Sequence, residues 1–167
     1  MAKFNEETIH ALFEKSLKQA KKHLSNLPIC SDFEIKFAGL NGWIFEQTVQ
    51  HCIKKELKAH KLNPNVREQI NLGGRTRADL MIDSVAIEIK AKGLFGFEDV
   101  ERYRKYKQAA KKKGFDYIFV TKSESHRPYR IGIISALGRK NTFFLDQQGD
   151  WERLIKTLVS KVQPGNS

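Results

Sequence analysis

Apolar residues recur with a helical period in four segments of the chain. In residues 5–24 they lie three or four positions apart, which predicts an amphipathic helix with Asn5 as its N-cap. The same spacing predicts three further helices, from Gly39 to Lys61, from Phe97 to Lys113 and from Asp150 to Val162. Gly114 is expected to end the helix that begins at Phe97, because glycine readily adopts the left-handed conformation found after helices.

Between the second and third helices the period of the apolar residues changes to two. Short β-rich runs, separated by Gly73-Gly74 and Asp83-Ser84, predict three consecutive strands: Val66 to Leu72, Ala78 to Ile82 and Val85 to Ile89. Further along, "DYIFVT" predicts a strand buried on both faces and "NTFFL" predicts another. The segment "HRPYRIGIISALGRK" between them has no clear pattern. This order of elements predicts an α/β fold with a mixed central β-sheet flanked by helices.

The length of the chain and its apolar runs restrict the class of protein. With 167 residues the chain is expected to form one domain, divided into an N-terminal helical extension (1–32), a core (33–162) and a disordered tail (163–167). No apolar run approaches the roughly 20 residues that span a bilayer. Acidic residues interrupt the N-terminal apolar positions, which argues against a secretory signal and favours a cytoplasmic location. Cys30 and Cys52 are expected to be reduced, buried thiols.

The charge of the chain points to a polyanionic partner. Lys and Arg number 30 against 19 Asp and Glu, which gives a net charge of +11 and a pI near 9.7. Nucleic acid suits such a field best, since each neutralised phosphate releases counterions. An anionic membrane surface, or a charge that serves only solubility, would also be compatible with this composition.

Two of the predicted strands would form a hairpin that brings acidic residues together. If the strands pair about Asp83-Ser84, Asp79 lies opposite Glu88 and Arg77 lies opposite Lys90. Strand alternation then places all four side chains on one face, while Val85, Ile87 and Ile89 occupy the other. A turn with an odd number of residues would shift this register and separate the carboxylates.

Two adjacent carboxylates repel each other unless a cation lies between them or one keeps its proton. Mg²⁺, for which Mn²⁺ can substitute, prefers oxygen ligands and completes its shell with water and substrate phosphate. Lys90 could orient or deprotonate the attacking water, or stabilise charge on the phosphate. The alternative is a solvated strand face on which Arg77, Asp79, Glu88 and Lys90 form two ordinary cross-strand ion pairs.

The residues "AD", eight intervening residues and then "EIK" resemble the signature of the PD-(D/E)XK nuclease superfamily. The predicted order of elements from Gly39 to Thr121 follows that of the superfamily, while Ala78 stands where the signature has proline. The resemblance implies a restriction-endonuclease-like core with an added N-terminal helix. It implies that Asp79 and Glu88 bind the metal and that Lys90 is the catalytic lysine. Many members carry a further metal-directed glutamate on the preceding helix, a role that Glu46 would fill, with Glu56 as a rival.

Basic residues near the site are candidate DNA contacts. They are Arg75 and Arg77 in the glycine-hinged loop, Lys92 just past the third strand, and Arg127 and Arg130 in the unassigned segment, which is expected to be irregular. No phosphate-binding P-loop or dinucleotide fingerprint is present, so no nucleotide cofactor is expected.

The sequence thus predicts a metal-dependent DNA endonuclease, most simply a small restriction-type enzyme. A chain of this size has room for one active site, so cutting both strands of a duplex predicts a homodimer or a larger homo-oligomer. Three alternatives stay open: a Holliday-junction-resolving or homing endonuclease, a nuclease acting on RNA, and a non-catalytic DNA-binding module of the same fold.

Overall fold

The computed structural model describes residues 2–26 and 38–162. Three predicted features lie outside these ranges: Cys30, the boundary between the N-terminal extension (1–32) and the core (33–162), and the tail (163–167). In chain order the described elements are α1 (Glu6–Ser25), α2 (Ala38–Ala59), β1 (Val66–Gly73), β2 (Thr76–Ile82), β3 (Val85–Lys90), α3 (Phe97–Lys112), β4 (Asp116–Thr121), α4 (Arg127–Leu137), a short 3-10 helix (Arg139–Asn141), β5 (Thr142–Phe144) and α5 (Asp150–Lys161).

The predicted helix boundaries have local causes in the structure. Asn5 caps α1, because its side chain accepts the N–H of Thr8 and the Thr8 hydroxyl oxygen accepts the N–H of Asn5 in return. Gly114 follows α3 with a φ of 77°, as its predicted role requires. Among the described helices, none combines the length and the apolar composition needed to cross a bilayer.

The segment expected to be irregular is instead helix α4, and this expectation was wrong. Gly132 and three isoleucines lower its intrinsic helix propensity. Tertiary packing outweighs that propensity, because Ile133 and Leu137 are fully buried on one side of the helix. Pro128 lies in the first turn of α4, where its missing N–H costs no hydrogen bond.

The five strands form one mixed sheet in the order β1-β2-β3-β4-β5. The first three are joined by short turns and pair antiparallel, whereas β3, β4 and β5 pair in parallel across the connecting helices α3 and α4. Helices α1, α2 and α5 pack on one face of this sheet, and α3 and α4 pack on the other. The predicted α/β class, a mixed sheet flanked by helices, is confirmed.

The β1–β2 hairpin changes face at its centre. Its ladder pairs Glu68 with Leu80 and Ile70 with Ala78 but skips Gln69 and Asp79, and Gln69 has a φ of 52°. Leu80 packs in the core beneath α2, whereas Ala78 packs in the core beneath α3. Since alternation alone would place Ala78 and Leu80 on one face, the strands rotate at Gln69 and Asp79. Asp79 therefore lies between the two layers of helices.

Candidate functional site

Next to its two-residue turn the β2–β3 hairpin has the predicted register, but its ladder does not extend to the predicted pairs of Asp79 with Glu88 and Arg77 with Lys90. Leu80 pairs with Ile87 and Ile82 pairs with Val85. The regular ladder ends at Leu80, and beyond it the carboxylate Oδ2 of Asp79 accepts the backbone N–H of Ile89 at 2.7 Å. The Asp79 side chain is thereby fixed against β3, one residue beyond Glu88.

Glu88 and Lys90 follow on the α3 side of β3. Glu88 is 4% exposed, and its Oε1 lies 2.7 Å from Nζ of Lys90. The same Nζ lies 5.9 Å from the centre of the Tyr103 ring on α3. The ion pair is thus formed within one strand and at a largely buried carboxylate.

Arg77 does not share the face of Glu88 and Lys90, contrary to the expectation from simple alternation. Its neighbour Ala78 points into the α3-side core, so Arg77 turns the other way and is exposed. The physical reason is the rotation of the hairpin at Asp79, which period-two alternation does not anticipate.

Glu46 reaches the site from α2 through two glutamine amides. Its Oε1 accepts Nε2 of Gln50 at 3.0 Å and Nε2 of Gln69 at 3.1 Å. The Gln50 amide also lies 3.4 Å from the backbone oxygen of Asp79. Gln50 is 1% exposed, and its Oε1 has no hydrogen-bond partner in the described part of the chain. These contacts connect α2 to β2 at Asp79.

Glu56, the rival of Glu46, has a structural environment. It is fully buried, and its Oε1 accepts the N–H of Phe4 at 2.7 Å and Nε1 of Trp151 at 3.4 Å. Glu56 therefore ties the N-terminal segment to α5, whereas Glu46 is the carboxylate of α2 that interacts with Asp79.

All three carboxylates have raised pKa values, and the charge of Asp79 contributes to the rise at Glu46 and Glu88. Burial, and then repulsion from Asp79, raises the pKa of Glu46 from 4.5 to about 7. The same two causes raise the pKa of Glu88 from 4.5 to about 7. Burial also raises the pKa of Asp79, although the N–H of Ile89 and the charge of Lys90 act against it. When its three carboxylates are ionised, the site carries more negative charge than Lys90 balances.

Lys90 remains charged in this environment. Burial acts to lower the pKa of Lys90, but attraction to Glu88, with smaller contributions from Tyr103 and Asp79, outweighs it and raises the pKa. A lysine with a raised pKa is a poor proton acceptor at neutral pH, which favours an electrostatic role over that of a base.

The oxygen donors fit a hard divalent cation in part. Within residues 2–26 and 38–162, no three His, Cys, Asp or Glu side chains are close enough to hold a metal ion by themselves. Mg²⁺ often uses only one or two carboxylates, with water and phosphate oxygens completing its shell. Asp79 and Glu88 are the pair that would hold it, and the unbalanced negative charge is what such a cation would neutralise.

The predicted DNA contacts fall into two groups. Arg75, Arg77, Lys92 and Arg127 are exposed. Arg130 instead donates to the Glu124 backbone oxygen at 2.9 Å and pairs with Asp146 at 2.7 Å. Its guanidinium also lies 4.6 Å from the centre of the Phe144 ring. Arg130 thus joins α4 to the end of β5.

Two polar side chains of the site, Gln50 and Gln69, were not singled out from the sequence. Gln50 lies four residues after Glu46 on a predicted helix, and this spacing was a signal from which their contact could have been predicted. Gln69 falls opposite Asp79 in the hairpin, but its left-handed conformation has no signature in the residue pattern.

Comparison of this chain with family models, with curated proteins and with solved structures finds no match. The assignment of a function therefore rests on the residues and geometry described above.

Proposed function

We propose that this chain is a metal-dependent DNA endonuclease that hydrolyses phosphodiester bonds, with its active site at Asp79, Glu88 and Lys90. One observation carries the proposal: the Asp79 carboxylate is fixed by the Ile89 N–H beside the ion pair of the buried Glu88 with the partly exposed Lys90. The signature "AD", eight residues and "EIK", in its register, supports the same reading, and the net charge of +11 suits DNA as the substrate.

The burial of Glu88 is not expected for a solvated strand face with ordinary ion pairs. A solvated face leaves its carboxylates in water, where pairing with lysine contributes at most about 1 kcal/mol. Here the side chain of Glu88 is 5% exposed, and burial with repulsion raises its pKa to about 7. Perturbed carboxylates of this kind cluster at functional sites.

The residues of the chain have distinct roles in the proposed reaction. When bound, a divalent cation supplies charge neutralisation at the phosphate and a more acidic water. Asp79 and Glu88 hold that cation, and the Ile89 N–H orients Asp79 for it. The ammonium of Lys90 stabilises the negative charge that develops on the phosphate oxygens under attack.

Glu46 is proposed as the third acidic group of this site. Its coupling to Asp79 supports a role at the same cation, and the amides of Gln50 and Gln69 fix its orientation. The small restriction-type role, and a homodimer that supplies one site for each strand, remain part of the proposal.

Cleavage of plasmid, branched and single-stranded DNA, with Mg²⁺ or with chelator, tests the proposal. We expect cutting by the wild type in Mg²⁺ or Mn²⁺, and none in chelator or by Glu88→Gln. Glu152→Gln is the matched control, since Glu152 is a surface carboxylate of α5 paired with Lys156. Full cutting in excess chelator, or equal cutting by Glu88→Gln, would overturn the assignment.

A further inference from the structure

Two exposed aromatic side chains follow Lys90 in the chain, and the second of them contacts a further ring. Phe95 is 82% exposed and Phe97 is 58% exposed. The Phe97 ring packs edge-on against Tyr129 at 5.1 Å, and the Tyr129 ring lies 4.2 Å from that of His126. These four residues are called the aromatic platform below. Exposing large rings to water is unfavourable, so these exposed rings indicate a binding surface.

The loop that carries Phe95 is held rigidly. The N–H of Leu94 donates to the buried carboxylate of Glu124, and the N–H of Phe95 donates to Asp99 at 2.8 Å. A Cβ atom added to Gly93 would lie 2.8 Å from Glu124, so the loop packs directly on that side chain. A ring presented by such a preorganised loop loses little conformational freedom when it binds a partner.

The charges around the platform suit a phosphate chain. Lys92 lies three residues before Phe95 and Arg127 directly follows His126, and both are exposed. Of the carboxylates beneath the loop, Asp99 is paired with Arg102 at 2.9 Å, and Glu124 accepts the N–H groups of Leu94 and His126. These two carboxylates are therefore engaged within the fold, and the exposed charges next to the rings are Lys92, Arg127 and Glu98.

The platform is also close enough to the site to meet the same DNA strand. Phe95 lies five positions after Lys90, so their Cα atoms are at most about 18 Å apart. That distance corresponds to about five base steps at 3.4 Å each. A strand whose phosphate lies at Lys90 thus reaches the platform within a few nucleotides.

We infer that the aromatic platform stacks unpaired bases, and that the substrate is DNA with unpaired bases next to the cleaved phosphate, such as single-stranded or branched DNA. The inference rests on the proposed nuclease function and, within it, favours the junction-resolving alternative over the restriction-type role, whose substrate is a fully paired duplex. A ring can stack on a base only after that base has left its pair, and such stacking is tolerant of sequence. A fully paired duplex would offer the platform no base face.

Binding in chelator tests this inference separately from cleavage. The probe is a labelled oligonucleotide, single-stranded or annealed to its full complement, and the readout is fluorescence anisotropy. Phe95→Leu keeps an apolar side chain without a ring, and should weaken single-strand binding by roughly 5- to 100-fold while duplex binding changes less than about twofold. Phe95→Trp should retain wild-type affinity.

Ile131→Ala is the matched control, because Ile131 is an apolar residue of α4 that is 57% exposed and has no ring. It should leave both affinities unchanged. If Ile131→Ala and Phe95→Leu both convert a dimer to a monomer in size-exclusion chromatography, the platform binds a second copy of the chain and the inference is wrong.

Moving one abasic nucleotide along the strand gives a second measurement. At the stacked position, loss of the base and Phe95→Leu should not be additive in free energy. Additivity at every position would overturn the stacking model. If Phe95→Leu has no effect while the wild type cuts duplex DNA, only this inference fails; if the wild type binds neither DNA, the proposed function fails as well.

Discussion

The backbone N–H of Ile89 donates a 2.7 Å hydrogen bond to Oδ2 of Asp79 where the β2–β3 ladder ends. A donor from the backbone cannot rotate away as a side chain can, so the position of the Asp79 carboxylate is set by the sheet itself. Its neighbours Glu46 and Glu88 come from different layers of the fold, and both are raised in pKa partly by the charge of Asp79.

Removing the charge of Glu88 should stabilise the metal-free protein at alkaline pH. The pKa of Glu88 is raised from 4.5 to about 7, so the folded state binds the proton more tightly than the unfolded state. The contribution of Glu88 to stability is therefore fully present below about pH 4.5 and is lost as pH rises from 4.5 to about 7. In chelator at pH 8, Glu88→Gln should raise the melting temperature by roughly 7–14 °C over the wild type.

The test is whether the difference in melting temperature between the wild type and Glu88→Gln changes with pH. Near pH 5 the two proteins should melt within about 2 °C of each other, and Mg²⁺ at pH 8 should raise the melting temperature of the wild type more than that of Glu88→Gln. Calorimetry with Glu152→Gln as the control variant measures this. A Glu88→Gln protein that is less stable than wild type at pH 8 would show that the carboxylate is structural.

Lys90→Met should slow phosphodiester cleavage by roughly 10² or more, the usual scale of a lost electrostatic group. Because Nζ of Lys90 lies 2.7 Å from the buried Glu88, the variant should also lose stability at pH 8 and less at pH 5, where Glu88 holds its proton. The double variant Glu88→Gln/Lys90→Met should recover that stability without recovering activity. Near wild-type cutting by Lys90→Met would mean that the active site lies elsewhere.

Affinity for DNA should fall steeply with salt, as phosphate contacts dominate binding by a chain of net charge +11. Alanine at Arg75, Arg77, Lys92 or Arg127 should each reduce the slope of log affinity against log salt by about 1. Arg130→Ala should mainly lower the melting temperature, because Arg130 pairs with Asp146. Anisotropy titrations at several salt concentrations measure the slope, and a flat dependence would argue for another partner.

Gln69 offers a test of the backbone at the site. With a φ of 52°, the residue is strained unless it is glycine, so Gln69→Gly should be more stable than Gln69→Ala by about 1 kcal/mol. That order is the reverse of the usual one in strands. Both variants should reduce cleavage and shift its pH dependence upward, because the Gln69 amide lowers the pKa of Glu46. Denaturant melts and pH-rate profiles measure both effects; equal stability of the two variants would contradict the strain.

The central hairpin could be predicted from the sequence because its two-residue turn and its alternation act over short distances. The same rules failed at Gln69 and Asp79, where a local rotation moves Ala78 to the other face. They also missed α4, where tertiary burial of Ile133 and Leu137 outweighs weak helix propensity. The contact of Glu46 with Gln69 depends on that rotation, so no residue pattern indicated it.

The left-handed residue at Gln69 also affects how the protein meets other chains. β1 lies at the edge of the described sheet, and a regular edge strand is a template for aggregation with a further strand. The positive φ of Gln69 interrupts the outward row of N–H and C=O groups at the middle of β1. The residue that orients Glu46 therefore also makes this edge a poorer template for intermolecular β-pairing.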